Sequence, residues 1–132
     1  MITKNVDLTL NADSAKLSSK LVVYREDGDF AFKIRIKNNP YIFDNDDNSF
    51  LASVVIEKPS GAWFEIIDLP TPGKDTVIVE VYKDYIDELT EVGTHKFQLR
   101  LHSGVDENYD YIDAVTLPEF QVIVKSRLID KK

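Results

Sequence analysis

The nine residues "DFAFKIRIK" (29–37) restrict the folds open to this chain more than any other stretch. Phe30, Phe32, Ile34 and Ile36 alternate with Ala31, Lys33, Arg35 and Lys37. A period of two puts the apolar set on one side of an extended strand and the polar set on the other. A helix would scatter the same side chains around a cylinder, so the segment predicts a strand with one buried and one wet face.

The pattern recurs along the chain. "NVDLTL" alternates Val6, Leu8 and Leu10 with Asn5, Asp7 and Thr9, and "TVIVEVY" spaces Val77, Val79 and Val81. "THKFQLRL" puts Phe97, Leu99 and Leu101 on one side, with Lys96, Gln98 and Arg100 opposite. "EFQVIVK" repeats it with Phe120, Val122 and Val124. "SFLASVVIEK" and "AWFEII" are apolar on both sides and joined by "PSGA", whose Pro59 and Gly61 suit a tight turn, so the pair predicts a hairpin. "KLVVYRED" adds a further strand before Gly28.

About seven to eight strands with regular turn signals predict an all-β fold, an immunoglobulin-like antiparallel β-sandwich. One short helix is expected near residues 83–90, where Tyr82, Ile86 and Leu89 recur at i, i+4 and i+7 and Gly93 follows as a stop. With 132 residues, the chain suits one domain over 1–125, followed by a charged tail or linker start at 126–132.

Charge and composition narrow the function. Twenty-three acidic against 16 basic residues give a formal charge of −7, which repels phosphate backbones and argues against nucleic-acid binding. No segment approaches the ~20 apolar residues of a membrane span, so no membrane partner is expected. With no cysteine, disulfides, thiolate zinc sites and cysteine nucleophiles are all excluded.

Few residues carry candidate chemistry. His95 and His102 are seven apart, which on one strand sends them to opposite faces, so a shared metal is not expected and hydrogen-bonded structural or surface roles are. "FDNDDNSF" offers Asp44, Asp46 and Asp47 as weak calcium candidates, but the loop lacks the glycine of a calcium-binding turn and places Val55 where a bidentate Glu belongs. "VDENYDYIDA" holds Asp106, Glu107, Asp110 and Asp113 and would have to meet the first loop to help it. Solvated loops are the plainer reading, and neither cofactor nor metal is expected. The serines have no G-x-S-x-G elbow, and the acids lie in polar loops where a desolvated glycosidase pair is not expected. The chain reads as non-enzymatic.

Two surface features remain. If the strand carrying Lys33, Arg35 and Lys37 pairs with "THKFQLRLH", Lys96 and Arg100 extend it into a basic stripe, a possible partner contact on an acidic protein. An ordinary solvated strand face is the alternative. Trp63, Tyr109 and Tyr111 raise saccharide stacking, although the apolar neighbours of Trp63 favour packing in the core and Tyr109 and Tyr111 suit surface contacts.

Taken in order, "KNVDLTLNADS", "FAFKIRIKNN", "ASVVIEKPSGAWFE", "EVGTHKFQLRL" and "LPEFQVIVK" make the chain resemble the N-terminal domain of siphophage upper baseplate proteins, the BppU-type domain of phages infecting Gram-positive bacteria. The resemblance runs from Val6 to Lys125 and rests on the order and spacing of the strands. It departs at the long acidic insert "NPYIFDNDDNSF". It implies a structural adaptor of a phage tail baseplate, attaching peripheral receptor-binding components to the central hub through protein–protein contacts. It also implies a virion location after assembly in the host cytoplasm, homo- or hetero-oligomers with tail-hub and receptor-binding proteins, and a linker helix after Lys132. The family has no catalytic residues to carry over. The alternative is a carbohydrate-binding or adhesin-like immunoglobulin-type module on a phage or bacterial surface protein.

Overall fold

The computed structural model describes residues 3–12, 20–25, 29–39, 50–73, 75–81 and 91–126. Along the chain come β1 (Thr3–Asn11), β2 (Lys20–Tyr24), β3 (Asp29–Lys37), β4 (Leu51–Glu57), β5 (Trp63–Ile66) and β6 (Thr76–Val81). They are followed by β7 (Gly93–His102), β8 (Gly104–Val105), β9 (Tyr111–Ile112), β10 (Val115–Thr116) and β11 (Phe120–Lys125). Eight of these are four residues or longer, and three have only two residues each. The helix expected near 83–90 and most of the tail at 126–132 lie outside the described residues.

One sheet has the order β1-β3-β6 and the other β2-β11-β7-β4-β5, with β10 added alongside β7. Their inner faces share one core. Phe30, Phe32, Ile34 and Ile36 of β3 and Val77, Val79 and Val81 of β6 are buried, as are Val54 and Ile56 of β4 and Phe97, Leu99 and Leu101 of β7. Four phenylalanines run through this core from sheet to sheet. Phe30 lies 6.2 Å from Phe32, Phe32 5.4 Å from Phe97, and Phe97 5.1 Å from Phe120, measured between ring centroids. Each such ring contributes about 1.5–3 kcal/mol by leaving water.

The fold is the expected all-β sandwich, but its sheets are mixed. β1 runs parallel to β3 from Thr3 opposite Asp29 to Asn11 opposite Lys37. β2 runs parallel to β11. The cause is layer switching. The chain leaves β1, crosses to the other sheet for β2 and returns for β3, so the two neighbours are joined by a crossover instead of a hairpin. Alternation fixes which face a residue occupies and is silent about the partner strand.

The hairpin between β4 and β5 forms as expected. Lys58 N–H donates to Ala62 O at 2.7 Å, and Gly61 (φ 92°) takes the backbone angle that its turn requires. The helix that Gly93 was expected to stop lies outside the described residues, but Gly93 itself is described. It opens β7 at φ 135°, and a Cβ there would sit 2.8 Å from Pro59 Cγ, so this hairpin's proline presses on bare backbone.

Candidate interaction surfaces

The outer face of the three-stranded sheet is polar and open to solvent at its centre. β3 points Lys33, Arg35 and Lys37 to solvent. The register places Lys33 beside Asp7 and Arg35 beside Thr76. Arg35 Nε meets Asp75 Oδ2 at 3.2 Å, an exposed pair worth about 0–1 kcal/mol. A shallow groove of about 550 Å³ is lined by Asp7, Thr9, Lys33, Arg35, Asp75 and Thr76.

The basic stripe extended through β7 does not form. β3 pairs with β1 and β6, whereas β7 pairs with β4, β10 and β11 in the opposite sheet. Lys96 and Arg100 therefore face away from Lys33, Arg35 and Lys37. Lys96 Nζ lies 3.8 Å from Glu57 Oε1, and the Arg100 guanidinium sits 5.5 Å over the Tyr111 ring. The calcium candidates Asp44, Asp46 and Asp47 lie outside the described residues. Among the described residues no three His, Cys, Asp or Glu side chains gather as metal ligands.

The outer face of the larger sheet is built differently, because β8 and β9 fold over it as a small ribbon. Asp106 organises the ribbon's turn. Its carboxylate oxygen Oδ1 accepts from Asn108 N–H at 2.8 Å and from Asp110 N–H at 3.0 Å, while its carbonyl accepts from Tyr109 N–H at 3.0 Å. The ribbon lays Tyr111 on the sheet. Its ring centroid is 4.1 Å from that of His102, and its hydroxyl donates to Glu65 Oε2 at 2.9 Å. Burial raises the Tyr111 phenol above the usual tyrosine range, helped by the adjacent Glu65 carboxylate, against which Ser53 and Arg100 pull downwards.

The same cover explains the histidines. His95 belongs to the inward row and is buried. His102 points outward yet is buried beneath Tyr111, with Nδ1 accepting from Gly104 N–H at 3.1 Å.

Trp63 overturns its expected place in the core: it is 68% exposed. It shares parity with Glu65 on β5 and stands opposite Glu57, so it belongs to the outward row, while Phe64 pairs with the buried Ile56. Glu65, two residues on, was the signal for this. Trp63, Tyr109, Tyr111, Glu65, Gln98 and Arg100 line a groove of about 670 Å³ between the sheet edge and the ribbon. The three aromatic residues that the sequence scattered are thus brought to one place.

The class defined is a mixed two-layer β-sandwich with two unlike outer faces. Among solved structures it is similar to the N-terminal domain of phage TP901-1 ORF48, with a TM-score of 0.65 and 12% identity, over 95% of this chain and 100% of that one. At that identity the likeness is one of fold. A cysteine protease inhibitor, EhICP2, from Entamoeba histolytica aligns at a TM-score of 0.42 and 14% identity over 93% of this chain and 97% of that one, too loosely to bear on the argument. No family model and no curated protein matches the chain.

Proposed function

We propose that the chain is a structural module of a phage tail baseplate, an adaptor that joins peripheral receptor-binding components to the central hub and performs no catalysis. The observation that carries this reading is the end-to-end likeness of fold to a phage protein's N-terminal domain, which leaves no part of that domain uncovered.

The sandwich has the means to assemble. β1 and β6 are the outer strands of one sheet and β2 and β5 of the other, and an outer strand offers backbone donors and acceptors for pairing with a neighbour. The row Lys33, Arg35 and Lys37 supplies a docking face for an acidic partner on an otherwise acidic protein, and charge there speeds and orients encounter more than it tightens binding.

The test is co-expression with the tail-hub protein of the genome that encodes this chain, read by light scattering after size exclusion. A complex of fixed stoichiometry is expected, and Lys33→Glu with Arg35→Glu should slow its formation. Components that elute separately would remove the adaptor reading, and unchanged association of the double variant would remove the cationic docking face.

A further inference from the structure

We propose that the groove between β5 and the β8–β9 ribbon is a binding site for a neutral, pyranose-containing oligosaccharide. Trp63, 68% exposed, stands on one side at the sheet edge, and Tyr109, 89% exposed, stands on the other at the ribbon's tip. Large rings left in water are unfavourable unless something covers them, and a flat ring face complements the axial C–H face of a sugar.

The same groove is lined by the groups that read hydroxyls. Glu65 is held by the Tyr111 hydroxyl at 2.9 Å through one carboxylate oxygen, which leaves a second oxygen able to accept. Gln98 brings an amide with both donor and acceptor, and the Arg100 guanidinium is fixed over the Tyr111 ring and by Nε donating to Thr116 Oγ1 at 3.4 Å. Planar groups of this kind bond two vicinal hydroxyls at once. Aromatic walls with a few converging, pre-positioned polar groups are the usual make-up of a small-molecule site.

Charge and shape select the ligand class. Glu65 and Asp110 against Arg100 leave the groove net negative on a protein of formal charge −7, which disfavours anionic sugars. Apart from the aromatic rings, its apolar lining is Val55 and Ala114, too little for the apolar centre of a protein interface.

Tyr109 adds a second line of argument. It has φ 65°, a left-handed conformation that a bulky residue seldom takes and a glycine takes freely. The ring stands 89% exposed at this strained turn position, outside the core, and strain of this sort gathers at ligand-contacting sites. The inference does not rest on the baseplate reading, and either one stands if the other fails.

The test is titration calorimetry of the chain with maltohexaose, cellohexaose, chitohexaose and a rhamnose oligosaccharide, with a sialylated oligosaccharide and a proline-rich decapeptide as controls. Saturable binding of at least one neutral probe is expected, weakened roughly tenfold or more by Trp63→Ala and by Tyr109→Gly, since loss of one stacked ring removes a binding hot spot. Tyr109→Gly should leave the melting temperature unchanged or raise it, which separates a lost ligand contact from a lost fold. No binding by any neutral probe, preference for either control, or full affinity in both variants would overturn the proposal.

Discussion

The two outer faces of this sandwich both belong to mixed sheets and have opposite designs. On the β1-β3-β6 side the central outward residues Asp7, Lys33, Arg35 and Lys37 meet solvent directly, with Asp29 at the start of β3 the buried exception, and Arg35 pairs loosely with Asp75. On the β7-β4-β5 side a twelve-residue excursion from Ser103 to Ala114 folds back and converts an outward row into a half-buried one. Ser53 and His102, outward by parity, are 1% and 5% exposed there. A wet face follows from strand alternation alone, whereas a covered one depends on what a distant loop does.

The largest effect tests what the faces have in common, the core between them. Phe97→Ala removes a ring packed against both Phe32 and Phe120 and should cost about 3–5 kcal/mol by urea unfolding, lowering stability for both faces together. If only one sheet melted, the single shared core would be disproved. Next comes Gly93→Ala, which adds a Cβ against Pro59 and a side chain at φ 135° and should cost about 1–3 kcal/mol. Pairing it with Pro59→Ala removes only the Cγ contact and should recover part of the steric cost, leaving the contact with the Cβ of residue 59 and the backbone part.

The comparison sharpens at smaller effects. Asp106→Ala on the covered face deletes the acceptor of two turn hydrogen bonds and should cost about 1 kcal/mol, with faster amide exchange at Asn108 and Asp110. Arg35→Ala on the open face should change stability by less than about 0.5 kcal/mol, because its ion pair with Asp75 is exposed. Equal costs for the two would contradict the contrast between the faces.

The smallest effect is a pH dependence confined to the covered face. Tyr111 has a raised folded-state pKa, so the fold binds its phenolic proton more tightly than the unfolded chain does. Its contribution is complete below the unfolded value near pH ~10 and fades as pH rises through the higher folded value. The alkaline decline in stability should therefore be steeper in the native chain than in Tyr111→Phe.

Much of this was legible in the sequence. The buried rows of β1, β3, β6, β7 and β11 were all read from their period of two, because each strand has one dry and one wet side. The β4–β5 hairpin was read from Pro59 and Gly61. Strand partners were not, since parity carries no information about neighbours. The basic stripe failed for that reason, as β3 and β7 never pair. The outward place of Trp63 is masked because "AWFEII" is apolar on both sides, and only its parity with Glu65 marks it. The aromatic groove was hidden for a related cause. Trp63 and Tyr111 are far apart in sequence, and only the turn set by Asp106 brings them to the same groove.

The assignment of β3 and β7 to opposite sheets underlies both faces and the groove. Cross-strand nuclear Overhauser effects on isotope-labelled protein test it directly. Contacts are predicted between Leu8 and Ile34 in parallel register, and between Ser53 and Arg100 and between Phe120 and Phe97 in antiparallel register. Backbone contacts linking Lys33 or Arg35 to Lys96, Gln98 or Arg100 would contradict the account.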